Sequence, residues 1–313
     1  MRFHVNFILI LLFSVAAFMP EKSIAIESEI TLTDAHLINL QRGYRFSLAP
    51  NDPIEKLLIS GRLQHPEEGQ MIKMNDTTEA VWEPLQADEE GWFKGRSLRR
   101  AYAWFSYKSP KEDIVLLEGM GHSIAFVNGE PRAGNQYQYK EEYESWEPRF
   151  DFSLLPIKLK KGRNDLLFQC SRGLLKVKLH PTSSAAIVNT KDATLPDLFV
   201  GEPIDSPGAV VLINASTKML EGCSLSGQAG NISVKAELPR LLPLSTRKVR
   251  FDISGTAPDE KSDLPLTLNV TKAGKKIASA DIILRVLTID ENQKHTFISR
   301  MDGSVQYYSI QPS

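Results

Sequence analysis

The sequence predicts an all-β protein, a jelly-roll β-sandwich followed by an immunoglobulin-like β-sandwich, and three observations lead there. Short apolar or alternating runs recur along the chain, bounded by Gly, Pro, Asn and Asp. Long helical periodicity is scarce beyond the N-terminal segment. Turn signals such as Asn128-Gly129 and the Gly162-Arg163-Asn164 stretch separate consecutive runs at hairpin spacing.

The chain opens with Arg2, an apolar run from Phe7 to Met19 and a small-x-small site at Ser23-Ile24-Ala25, the pattern of a secretory signal peptide over residues 1–25. The run is too short to stay as a membrane span and is broken by Pro20, Glu21 and Lys22, so a secreted or periplasmic protein without stable membrane insertion is expected. The remainder is long enough for two domains with their own cores. Lys and Arg number 37 against 38 Asp and Glu, a net charge of -1, which leaves no basic footprint for nucleic acid. Two cysteines, Cys170 and Cys223, fall in different expected domains, so each is expected to be a small buried apolar side chain rather than half of a disulfide.

The first domain is expected over residues 31–182, with strands at Arg45–Leu48, Lys56–Gly61, Ala80–Leu85, Ala101–Tyr107, Ile114–Glu118, Ser123–Val127, Phe150–Leu154, Asp165–Cys170 and Leu174–Leu179. In the Asp165–Cys170 run, Leu166, Phe168 and Cys170 share one face, which makes the strand half-buried with the cysteine inward. Residues Ser183 to Asp192 are small, polar and patternless and read as a joint. The second domain, residues 193–289, carries runs at Ala209–Ser216, Asn231–Leu238, Arg247–Ser254 and Leu264–Leu287, the last folded by a Thr271-Lys272-Ala273-Gly274 hairpin, and its size suits an immunoglobulin-like sandwich lacking the antibody-type Cys-Trp-Cys core. Residues 290–313 form a linker and one further strand.

Two motifs are specific. Gly119-x-Gly121 leading to Val127-Asn128-Gly129, followed by Leu159-x-x-Gly162-x-Asn164, resembles the galactose-binding-like jelly rolls attached to secreted hydrolases. The stretches Asp192–Pro203, Phe126–Tyr137, Leu159–Leu179 and above all Thr296–Tyr308 resemble the non-catalytic N-terminal region of secreted bacterial prolyl-oligopeptidase-like α/β-hydrolases. That resemblance implies that the last strand opens a serine-hydrolase domain missing from this chain, and that a full-length relative would cleave peptide or ester bonds.

The chain itself offers no catalytic machinery. Gly121-His122-Ser123-Ile124-Ala125 approaches the Gly-x-Ser-x-Gly elbow, but its fifth residue is Ala and it runs straight into an apolar strand, so a glycine-rich strand start explains it better. His180 and His295 read as surface histidines. No two of His36, His65, His122, His180 and His295 lie close enough in sequence for a local zinc site. Cofactors are expected to be absent, with room for a structural calcium at Asp88, Glu89, Glu90 or Asp151, residues that a solvated acidic loop explains more simply. A jelly roll binds sugars with loop aromatics against the apolar sugar face and with Arg, Asn or Asp on the hydroxyls. The candidates are Trp92, Arg132, Asn135, Tyr137, Tyr139 and Trp146, with a carbohydrate or peptide as ligand. The function expected is therefore a non-catalytic accessory region that positions carbohydrate or substrate for a hydrolase, with a self-sufficient extracellular carbohydrate-binding or adhesion protein as the alternative.

Overall fold

The computed structural model describes residues 28–40, 52–74, 78–135 and 153–312. The chain is all-β, as expected, and its first unit is built from β1 (Ile30–Thr31), β2 (Asp34–Asn39), α1 (Pro53–Ile59), β3 (Met71–Lys73), β4 (Glu79–Gln86), β5 (Phe93–Lys94), β6 (Ala101–Ser109), β7 (Asp113–Met120), β8 (His122–Val127), β9 (Glu130–Asn135), β10 (Leu155–Leu159), β11 (Gly162–Cys170) and β12 (Leu174–Pro181). These form a five-stranded sheet, β1-β12-β7-β10 with β5 added on β12, and a seven-stranded sheet, β3-β4-β2-β6-β11-β8-β9. The period-two alternation of β6 and β11 puts Phe105, Leu166, Phe168 and Cys170 against Val115, Leu117, Leu175, Val177 and Leu179 of the facing sheet. Phe93, Phe105 and Phe168 lock that core edge to face, with ring centroids 5.4 and 5.5 Å apart.

The other face of the seven-stranded sheet is buried too. Ile38, Trp82, Tyr102, Trp104, Phe126 and Leu167 line it beneath Ile54 of α1 and the following chain through Met74. Here the expected strand Lys56–Gly61 is corrected, because most of it lies in α1. Asp52 caps the helix, its Oδ1 accepting from Ile54 N at 2.9 Å and Glu55 N at 3.1 Å, and Pro53 stands where its missing N–H costs nothing. A short apolar run carries no period that separates helix from strand, so the cap decides. The expected strand Arg45–Leu48 lies outside the described residues. The one expected at Phe150–Leu154 gives way to β10, which starts at Leu155, although residues 150–152 are likewise outside.

The two sequence motifs of the jelly roll meet in one knot. Asn128 (φ 52°) and Gly129 (φ 88°) turn β8 into β9. Asn128 Nδ2 donates to Asn164 Oδ1 at 2.9 Å, while Asp165 N donates to Asn128 Oδ1 at 3.1 Å. Asn164, fully buried, accepts from Lys160 N at 2.9 Å and donates to Lys160 O at 2.8 Å and Gly162 O at 3.0 Å. The motif is thus a structural clasp between two turns.

The second unit comprises β13 (Ala186–Thr194), β14 (Leu198–Phe199), β15 (Pro203–Asn214), β16 (Cys223–Ala229), β17 (Ile232–Glu237), β18 (Ser245–Thr256), β19 (Ser262–Lys272) and β20 (Lys275–Leu287). They form one continuous ladder, β13-β15-β18-β17-β16-β19-β20-β14, wrapped round a core that includes Val210, Val234, Phe251, Ile253, Leu268, Leu284 and Val286. Cys170 and Cys223 are both free and buried, as the sequence suggested. The expected joint is corrected. Residues 186–194 pair with β15 from Ala186↔Asn214 onward, burying Ala186, Val188 and Asn189 and packing Ile187 where the units meet, so both faces are partly covered and no alternation shows in the sequence. Leu116 of the first unit and Ile213 and Ala215 of the second are buried together where the units meet.

The tail is corrected as well. β21 (Gln293–Ile298) and β22 (Val305–Ile310) form a hairpin laid on the second unit, where a linker and a single further strand were expected. Asp197, almost wholly buried, accepts from Arg285 Nε at 2.9 Å, Arg285 Nη2 at 2.7 Å and Lys294 N at 2.7 Å. His295, expected as a surface residue of a polar linker, is instead stacked between Phe199 and Tyr308, with ring centroids 5.4 and 5.2 Å away. Asp197→Ala removes three charge-assisted bonds and should cost about 2–3 kcal/mol. Limited proteolysis should then release the hairpin first, and a variant that resists cleavage as the parent does would show that the aromatic stack, with Thr296 Oγ1 donating to Pro207 O and Asp197 N to Lys294 O, is enough to hold it.

Candidate functional site

The expected ligand residues that the structure describes lie towards one end of the jelly roll. Trp92 sits in the turn before β5, only 7 % exposed, with the Lys176 ammonium 5.2 Å above its ring centre. Asp88 organises that turn: its Oδ1 accepts from Glu90 N at 3.0 Å and Trp92 N at 2.8 Å, and its Oδ2 pairs with Lys94. The Lys94 hydrogen bond, more than the backbone ones, holds the Asp88 carboxyl below the usual range. Asp88 is therefore already committed to its turn. Among the described residues no three His, Cys, Asp or Glu side chains gather where they could hold a metal ion, and Asp151 lies outside them.

Asn135 ends β9, buried, its carbonyl accepting from Gly121 N at 2.8 Å. Gly121 has to be glycine: at φ 90° a Cβ would lie 1.8 Å from Leu174 O, the close approach its sequence setting implied. Arg132, three residues earlier, donates through Nη1 to Pro131 O at 3.0 Å and through Nη2 to Glu130 Oε2 at 3.3 Å. Trp92 as placed offers no open ring face for a sugar, whereas Arg132 is half-buried at the sheet edge. Tyr137, Tyr139 and Trp146 lie outside the described residues.

Ser123 has no base. Its Oγ donates to Gln169 Oε1 at 2.5 Å, Gln169 Nε2 donates to Tyr102 OH at 2.9 Å, and Tyr102 OH donates to Asp52 Oδ2 at 2.9 Å, so the chain of bonds ends on the helix cap. The neighbouring His122 points the other way, into the core 5.0 Å from Phe168, and burial lowers its pKa to about 4. His180 is more than a surface histidine: its Nε2 is 2.7 Å from Glu118 Oε2 and its Nδ1 3.4 Å from Glu29 Oε2.

The feature that sequence reading missed is a cleft of about 410 Å³ between α1, the chain that follows it and β3. Trp82, Ile72, Leu57 and Leu63 give it an apolar floor; Gln64, Gln70, Lys56, Arg62 and Lys73 line the remainder, with Met71 and Pro53 at its edges. One wall is pinned to the sheet by His65, whose ring meets Trp104 at 5.9 Å and His36 at 6.0 Å and whose Nδ1 lies 3.3 Å from Ser106 Oγ. Ser106 Oγ donates to Asp165 Oδ1 at 3.2 Å, which places its single proton there. His65 Nδ1 must then be the donor to Ser106, so the three side chains form a clamp and not an activated nucleophile. Desolvation, with Arg163 next, depresses the His65 pKa and keeps the ring neutral. The cleft was invisible in sequence because its floor comes from β4 while its rim comes from a segment read as a strand.

No family model matches the chain, and no curated protein matches it. Among solved structures it is similar to a protein described as a β-galactosidase of Bacteroides fragilis (10% identity, TM-score 0.39, covering 90% of this chain and 43% of that one). It is also similar to the exo-chitosanase CsxA of Amycolatopsis orientalis (10% identity, TM-score 0.35, 89% of this chain and 35% of that one) and to β-glucuronidase 2 of Bacteroides uniformis (9% identity, TM-score 0.35, 90% and 34%). The chain thus spans less than half the length of each of these three. All three are described as glycoside-cleaving enzymes and none as a prolyl-oligopeptidase-like α/β-hydrolase, so the serine-hydrolase resemblance does not stand; the residues that carried it form the asparagine clasp and the tail hairpin.

Proposed function

We propose that the chain is a non-catalytic, exported carbohydrate-binding region that positions glycan for an associated enzyme, with the cleft over the seven-stranded sheet as its binding surface. The cleft carries the reading. Its volume of about 410 Å³ falls in the range of small-ligand sites, and its apolar floor beside amide side chains suits a ligand with one apolar face and a rim of hydroxyls. Gln64 brings donors and an acceptor and Gln70, whose Oε1 already accepts from Glu67 N at 3.1 Å, brings its amide donors, which hydroxyl groups require. Export is supported by the charged start, apolar run and Ser23-Ile24-Ala25 site, and N-terminal sequencing of the exported protein should find Ile26 at or near its start.

The test is a panel of soluble polysaccharides presented to the full chain. At least one should bind, and Gln64→Ala combined with Met71→Ala should weaken it by about tenfold, from one lost hydrogen bond and some apolar contact, without moving the melting temperature. Binding that ignores the double variant would relocate the site to the Asn135 end. Absence of binding across the panel would reject the reading.

A further inference from the structure

We propose that this cleft selects acidic glycans, those carrying carboxylate or sulfate groups, over neutral ones. The inference rests on the carbohydrate reading above and adds the charge of the ligand. Of the residues lining the cleft, three are cationic, Lys56, Arg62 and Lys73, and none is a carboxylate. Lys56 projects from α1 and Arg62 from the chain just beyond it, and both are exposed. Arg62 spends only its Nε, on Ser60 Oγ at 3.1 Å, which leaves the planar Nη fork for a carboxylate or sulfate.

The acids of the same elements are turned elsewhere. Asp52 is held by Tyr102 OH at 2.9 Å and by the first amides of α1. Glu55, Glu67 and Glu68 do not line the cleft. A neutral sugar needs no cations, whereas Lys56 and Arg62, both exposed beside the apolar floor, attract an anion that enters it. Across the whole chain the net charge is only -1, so this is a local concentration and not the broad basic stripe by which proteins grip nucleic acid.

The experiment compares the full chain with a Lys56→Ala, Arg62→Ala double variant on polygalacturonate, dextran sulfate, neutral dextran and duplex DNA, each at low and high salt. The expected result is tighter binding of at least one acidic polysaccharide than of dextran, weakening with salt, and roughly a five- to tenfold loss in the double variant at low salt with an unchanged melting temperature. Preference for polygalacturonate identifies carboxylate as the group read, and preference for dextran sulfate identifies sulfate. Dextran bound as tightly as the acidic polymers, with the double variant indifferent, would overturn the selectivity while leaving the carbohydrate reading in place. Tighter binding of DNA than of any glycan would overturn it in favour of a nucleic-acid surface, and no binding of any glycan would remove both.

Discussion

Asn164→Ala should destabilise the jelly-roll unit by about 3–4 kcal/mol, the sum of several net hydrogen bonds and the cost of leaving buried backbone groups unpaired. Asn164 satisfies Lys160 N, Lys160 O and Gly162 O from inside the Gly162 turn and joins that turn to Asn128 of the neighbouring hairpin. Alanine can make none of these bonds, and the site is fully buried, so water cannot replace them without opening the turn. The measurement is convenient because all four tryptophans precede the second unit, so fluorescence in a urea titration reports the jelly roll. A loss below about 1 kcal/mol would mean that the two turns hold their shape without the clasp.

The second large effect is acid sensitivity from His122. Its ring is buried beside Phe168, neither nitrogen has a partner among the described residues, and its pKa is lowered to about 4 against an ordinary 6.5. Above pH 6.5 the ring is neutral in both folded and unfolded chains and charges nothing against folding. As the pH falls from 6.5 to about 4 the unfolded chain takes up the proton first, and stability drops by up to roughly 3 kcal/mol. His122→Leu should flatten that part of the stability profile, while His65→Ala, on the exposed clamp, should flatten it only slightly. A parent-like loss in His122→Leu between pH 6.5 and 4.5 would assign the effect to other groups.

Much of the architecture was readable because a half-buried strand writes its burial into alternate residues. β4, β6, β8 and β11 fall where alternation put them, and the Asn128-Gly129 turn lies where the dipeptide announced it. The misreadings share a cause. β13 buries a polar Asn189 beside Val188 and so lacks the apolar-polar alternation, and α1 is too short for its period to be seen, so both look like something else without their neighbours. β9 escaped for a similar reason: Glu130, Pro131, Ala133 and Gly134 are exposed, and the strand is defined by its pairing with β8. The candidate site fared worse than the fold. Aromatic loop residues drew attention to Trp92, which proved to be packed, while the cleft is assembled from Trp82 and a helix whose distance in sequence hides their contact.

The pairing of early strands with last ones bears on how the protein is made on the ribosome. β1 lies against β12 through Ile30↔Leu179, and β14 runs parallel to β20 through Leu198↔Val286 and Phe199↔Leu287. Each unit is closed by contacts between its own ends, so neither can finish folding until its full length has left the exit tunnel, yet neither needs residues of the other to complete its ladder. The jelly roll can be complete while β15 to β20 are still being synthesised. Its face at Leu116 then waits uncovered until Ile213 and Ala215 arrive, so a small apolar patch stays open to solvent during synthesis.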